Sequence, residues 1–102
     1  DIGHLFPDTD PAYEGISSVL LLKTVGERIS GAGYAISNID ATVIAQKPKL
    51  APYIPAMRKV VAETLGIQEG QVNLKATTEE HLGFSGREEG IAAHAVCLID
   101  AL

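Results

Sequence analysis

In 102 residues, 13 Asp and Glu outweigh 8 Lys and Arg, giving a formal charge of −5 that argues against nonspecific nucleic-acid binding, which needs a basic face. With 46% apolar residues, the length suits one small domain with a modest core, for which oligomerisation is a common supplement. A single cysteine, Cys97, excludes an intrachain disulfide framework, and neither a membrane-spanning apolar run nor a signal peptide is legible, so no membrane partner is expected.

The segment from Asp1 to Pro11 holds two prolines and three aspartates and is expected to be irregular, with turn chemistry at Asp8-Thr9-Asp10-Pro11. The Asp8–Asp10 spacing lacks the further ligands of a calcium loop, which leaves solvated turn residues as the simpler reading. Ser17 to Ser30 reads as an amphipathic helix: Val19, Leu22, Val25 and Ile29, with Leu21 beside them, line one face, and Lys23, Glu27 and Arg28 lie mostly opposite. Gly26 weakens that helix and marks close packing against another element.

Tyr34 to Gln46 reads as a long strand, with Ile39, Ala41, Val43 and Ala45 on one face and Asn38, Asp40, Thr42 and Ile44 on the other. It runs into Gln46-Lys47-Pro48-Lys49-Leu50-Ala51-Pro52, a proline-bounded loop with two lysines. Such a loop is either a solvated connection or a holder of a base or phosphate at a strand's end. A second helix is expected over Pro55 to Leu65, where Met57, Val60, Val61, Thr64 and Leu65 form a helical stripe and Gly66 is the stop.

Val72, Leu74 and Ala76 alternate with Asn73, Lys75 and Thr77, the period of a half-buried strand. The pattern breaks at Thr77-Thr78-Glu79-Glu80. Hydroxyls at a strand's end can bind phosphate, and a carboxylate there can hold a divalent cation against it. Thr77 and Glu80 equally suit a capping box that only starts a helical turn, and such boxes are commoner than ligand sites. Gly90 to Leu102 is apolar and ambiguous between helix and strand, and Cys97 within it is expected to be an inert core thiol in a reducing compartment.

Several chemistries are missing from the pattern. His4, His81 and His94 have no metal-ligand spacing, Gly83-Phe84-Ser85-Gly86-Arg87 lacks the order of a nucleophile elbow, and no P-loop or dinucleotide fingerprint is present. Three loops remain that could surround a phosphate-bearing ligand: Asp1–Pro11, Lys47–Ala51 and Thr77–Arg87.

Those loops, in the forms Asp1-Ile2-Gly3-His4-Leu5-Phe6-Pro7-Asp8-Thr9-Asp10-Pro11, Asn38 through Lys49, and Lys75 through Arg87, resemble the 2-C-methyl-D-erythritol 2,4-cyclodiphosphate synthase family. The likeness runs along essentially the whole chain in order. It implies an α/β fold: a single small domain with a mixed sheet and helices packed on one face, assembling as a homotrimer around a threefold axis with intersubunit active sites. It also favours a strand for the last stretch. The family's substrate is a cytidine diphosphate ester, 4-diphosphocytidyl-2-C-methyl-D-erythritol 2-phosphate, which is cyclised with release of CMP in the non-mevalonate isoprenoid route.

Carried over by position, the resemblance implies that Asp1, Ile2 and Gly3 face ribose and substrate, and that Phe6, Pro7, Asp8, Thr9 and Asp10 wall the methylerythritol phosphate. Ala45, Gln46, Lys47, Pro48, Lys49, Leu50 and Ala51 would form the cytosine pocket, largely through backbone groups. Thr77, Thr78, Glu79 and Glu80 would surround the diphosphate, with Thr78 the transition-state-stabilising threonine and Glu80 the magnesium or manganese ligand. Phe84 and Arg87 would complete the substrate contacts.

Family members carry, upstream of Asp-Ile-Gly, an Asp-x-His pair and a later histidine that bind zinc, together with a His-Ser loop that contacts substrate. Residues 1–102 hold none of these. The chain is therefore expected to be the C-terminal two-thirds of a synthase, with zinc ligands outside it, and to be inactive alone. His94 falls where some relatives carry a glutamate that pairs with the arginine matching Arg87. The rival readings are a noncatalytic cytidine-nucleotide-binding trimeric module and a purely structural trimer domain. The expected location is a bacterial cytoplasm or a plastid-type organelle.

Overall fold

A computed structural model describes residues 1–102. Its centre is a mixed three-stranded sheet in the order β2-β1-β3, built from β1 (Tyr34–Ile44), β2 (Val72–Thr77) and β3 (Ala92–Ala101). β1 pairs β2 in parallel from Ile39↔Val72 to Ile44↔Thr77, and pairs β3 antiparallel from Tyr34↔Ala101 to Ile44↔Ala92, with a register shift between Ile36 and Asn38. The ambiguous last stretch is thus a strand. Its Val96-Cys97-Leu98-Ile99 run supplies the β-branched and bulky residues a sheet accepts, and ladder partners outweigh the helix propensity of its alanines.

Two long helices, α2 (Ser18–Gly31) and α3 (Ile54–Leu65), pack side by side, α2 over β1 and α3 over β2. The Ser17 hydroxyl accepts the Val19 N–H at 3.2 Å and starts α2. Gly66, left-handed at φ 67°, ends α3. A Cβ on Gly26 would stand 2.8 Å from Leu65 Cδ2, so the close packing expected at Gly26 is the approach of α2 to α3. Arg58 pins α3 to the following turn and strand: Nε donates to Val72 O at 3.0 Å, and a terminal guanidinium nitrogen donates to Glu69 O at 2.9 Å.

Several expectations are corrected. Asp1–Pro11 is not wholly irregular, because Ile2–Leu5 forms a short helix, α1. Its prolines act only from position 7 onward, and the Asp1 carboxylate accepts the Gly3 N–H at 2.8 Å as a cap. Val19, placed on the apolar face of α2, is 43% exposed, and Val60 of the α3 stripe is 44% exposed. Cys97 is an exposed thiol rather than a core one. It pairs with Ile39 on β1, but the long helices cover β1 and β2 and leave β3 bare.

The core is correspondingly thin. Ala45, Ala62, Val72, Ser85 and Gly86 are its five buried residues. A short helix, α4 (Gly83–Gly86), borders the sheet face opposite α2 and α3, near Ile44, Ala92 and His94. The helices therefore do not all share one face. No helix is long and apolar enough to cross a membrane.

Candidate functional site

Because β1 and β2 run parallel, their carboxyl ends finish side by side at Ile44↔Thr77, and Ala45 N donates to Thr77 O at 3.0 Å just beyond. The two chains then diverge into loops, and the crevice between them is where open α/β sheets characteristically take ligands. A pocket of about 380 Å³ lies there, lined by Ala45, Gln46, Pro48, Lys49, Leu50 and Ala51 from the first loop and by Ala76, Thr77 and Thr78 from β2 and the second. Lys47 does not line it; its Nζ lies 3.7 Å from a Glu88 carboxylate oxygen. Ala76 is a lining residue with no chemical signal in the sequence, where it is one alanine inside a strand pattern.

The second loop is held by its own polar groups. The Thr77 hydroxyl donates to Thr78 O at 3.3 Å, and Thr78 Oγ1 accepts the Glu80 N–H at 3.3 Å. Glu80 and His81 are both left-handed, at φ 53° and 66°. The chain therefore turns away from helical geometry at the place where Thr77 and Glu80 would have formed a capping box, and no such cap exists. The next helix starts only at Gly83, preceded by Leu82 as an N-cap that makes no side-chain cap bond. Gln46 Oε1, from the facing loop, accepts the His81 N–H at 3.1 Å.

Other expected site residues lie apart from this pocket. Glu79 and Phe84 line a second cavity of about 220 Å³, together with Ile44, Leu82, Ala92 and His94. Arg87 lies in neither cavity; its guanidinium grips Glu89 through bonds of 2.9 and 3.3 Å. Its partner is thus a near neighbour in sequence, not residue 94. Asp1, Ile2, Gly3, Phe6, Pro7, Asp8, Thr9 and Asp10 line neither cavity. That segment is tied to itself: Asp10 Oδ1 accepts the Ala12 N–H at 2.9 Å, and the Phe6 and Tyr13 rings meet edge to face at 5.3 Å.

The exposed charges are arranged with little convergence. No three His, Cys, Asp or Glu side chains come together as a metal set. Asp40 on β1 accepts from Lys75 Nζ at 2.7 Å and Asn73 Nδ2 at 2.9 Å across the β1–β2 ladder. Those two hydrogen bonds, Lys75 foremost, hold its carboxyl below the usual range.

The chain has close counterparts in sequence and in fold. A curated relative from Agathobacter rectalis, named 2-C-methyl-D-erythritol 2,4-cyclodiphosphate synthase, is 66% identical over all 102 residues, which span 58% of its length. One of the same name from Ectopseudomonas mendocina is 59% identical over 99 residues, 97% of this chain and 63% of the relative. Among solved structures, the bifunctional IspDF from Campylobacter jejuni superposes with a TM-score of 0.95 at 41% identity, over the whole of this chain and 28% of that one. A CDP complex of Plasmodium falciparum IspF superposes with a TM-score of 0.84 at 33% identity, over 99% of this chain and 60% of that one. The chain thus spans roughly three-fifths of the curated relatives it matches. With the YgbB family model matched over residues 1–100, the chain belongs to the YgbB family.

Proposed function

We propose that this chain is part of a phosphorus–oxygen lyase that converts 4-diphosphocytidyl-2-C-methyl-D-erythritol 2-phosphate to 2-C-methyl-D-erythritol 2,4-cyclodiphosphate, releasing CMP. One observation carries the reading: Ala45, Gln46 and residues 48–51 line a single pocket with Thr77 and Thr78, far from them in sequence, at the ends of two parallel strands. The relatives' name and the CDP held by the Plasmodium falciparum structure support it.

In this reaction a 2-phosphate oxygen attacks the β-phosphorus, and the bond from that phosphorus to the bridging oxygen breaks. CMP leaves with the electron pair. Such transfers need positioning and charge neutralisation more than covalent help from protein. The loop from Ala45 to Ala51 seats the cytosine, with Lys49 and Leu50 against it and backbone groups reading its edge. Thr77 and Thr78 stand where the diphosphate follows. Thr78 Oγ1 already accepts the Glu80 N–H, so its own proton is free to donate to a phosphate oxygen gaining charge.

Glu80 carries the divalent-cation part of the proposal. It is exposed and takes no part in the chain's ion pairs. One free carboxylate fits magnesium or manganese held mainly by substrate phosphates and water. When bound, the ion offsets charge on the diphosphate. Zinc does not fit residues 1–102, where no ligand trio converges; in this proposal its ligands lie elsewhere in the protein.

The remaining site residues enter through a homotrimer. Asp1, Ile2, Gly3, Phe6 to Asp10, Phe84 and Arg87 would complete a site shared between neighbouring subunits. The bare β3, with Val96 66% and Leu98 61% exposed, and the thin core favour burial of that strand against further copies. The compartment in this reading is a bacterial cytoplasm or a plastid-type organelle, the first in keeping with the bacterial relatives.

The test is phosphorus NMR of the full-length protein with this substrate and magnesium. Equimolar cyclic diphosphate and CMP are expected. CDP binding without CMP release would replace the lyase by a cytidine-nucleotide-binding module, and absence of both would overturn the reading.

A further inference from the structure

We propose that Gln46 is a positioning residue: through its side-chain amide it holds the Thr78–His81 turn in the geometry that presents Thr78 and Glu80 to the diphosphate. The kinetic part of this inference rests on the lyase reading above; the structural part does not.

The turn is intrinsically unfavourable. Left-handed backbone is unfavourable for a residue with a Cβ, and here two such residues, Glu80 and His81, stand in succession. Strained conformations of this kind persist only where the surroundings over-determine them. Three hydrogen bonds do so: Leu82 N donates to Glu79 O at 3.0 Å across the turn, Thr78 Oγ1 accepts the Glu80 N–H at 3.3 Å, and Gln46 Oε1 accepts the His81 N–H at 3.1 Å. Gly86, lacking a Cβ, lets its own backbone lie against that of His81.

Gln46 is the restraint that comes from outside the turn's own segment, 35 residues away in sequence. It also lines the pocket with Thr78. The Lys47–Glu88 ion pair that joins the same regions is 3.7 Å long and exposed, and pairs of that kind hold little. Without the Gln46 acceptor, the His81 N–H has only water. Only the Glu79–Leu82 and Thr78–Glu80 bonds, both within the segment, then hold the turn; Glu80 and His81 are freer to leave the left-handed region, a change that breaks the Thr78 Oγ1 bond and swings the Glu80 carboxylate. The nucleobase loop and the diphosphate turn are in this way one mechanical unit.

Two variants of the full-length protein test this. Gln46→Met keeps the side chain's length and removes the acceptor; Gln46→Glu keeps an acceptor oxygen. Amide hydrogen exchange at His81 is expected to quicken about tenfold in the Met variant, near the upper end for one hydrogen bond, and to return toward wild type in the Glu variant. In turnover assays kcat is expected to fall by about the same factor in the Met variant and recover in the Glu variant, while CDP affinity stays within about threefold. Unchanged His81 exchange in the Met variant would overturn the proposal. So would weakened CDP binding with normal kcat, which would make Gln46 a base contact only. If the wild-type protein itself formed no cyclic product, the lyase reading would fail while the exchange measurement still decided the role of Gln46.

Discussion

A Cβ on Gly86 would stand 2.4 Å from the His81 carbonyl carbon and 2.8 Å from its Cα. Both atoms are backbone, so no side chain can rotate away to relieve the clash. Gly86→Ala is expected to destabilise the fold by about 1–3 kcal/mol, the usual cost of overpacking a buried site. It should also disturb Glu80, the residue before His81. Denaturant unfolding checks the first effect, and a variant as stable as wild type would show that the turn yields freely.

Glu80→Gln separates chemistry from stability. The carboxylate is exposed and unpaired in the chain, so unfolding free energy should change by less than about 0.5 kcal/mol. An amide is a poor replacement for an anionic ligand of magnesium, and turnover of the full-length protein is expected to fall at least about tenfold, or 1.4 kcal/mol of barrier. Near-normal turnover at saturating magnesium would remove Glu80 from the metal role.

Between Lys47 and Ala51 there is no Asn, Asp or Glu to read a base edge, which leaves the task to backbone groups. Lys49→Met should therefore weaken CDP and UDP alike and preserve the ratio of their affinities. Calorimetry with both nucleotides measures this. A changed ratio would give the Lys49 side chain a part in base selection, and equal wild-type affinities would rule the loop out as a reader.

The Asp40 carboxyl is held below its ordinary value by Lys75 and then Asn73. A depressed folded-state value means that the contribution is present above the unfolded-state value, about 3.9, and fades as pH falls through the lower folded one. The stability gap between wild type and Asp40→Asn should be constant from pH 7 to about 5 and narrow below about 4. Unfolding midpoints across that range test it; a gap that widens on acidification would contradict the assigned hydrogen bonds.

Much of the architecture was legible because it depends on near neighbours in sequence. The alternation from Val72 to Thr77 and the long run from Tyr34 specify strands, and the stripe from Met57 to Leu65 ending at Gly66 specifies a helix, through periods that each residue shares with those two to four places away. Gly26 even announced a close approach, though not that Leu65 would make it. Of the three loop motifs legible in the sequence, two meet in one pocket.

What only the tertiary structure decided has a different physical origin. Cys97 sits in an apolar run, yet burial depends on what covers a strand, and α2 and α3 lie over β1 and β2 instead. Thr77 and Glu80 have the spacing of a cap, but the left-handed backbone at Glu80 and His81 makes that spacing irrelevant. Gln46 meets His81 because the parallel register sets Ile44 beside Thr77, bringing together loops whose separation along the chain hides any relation between them. Local periodicity determined β1, β2, α2 and α3; the order in which the strands pair decided the last strand and which side chains could touch.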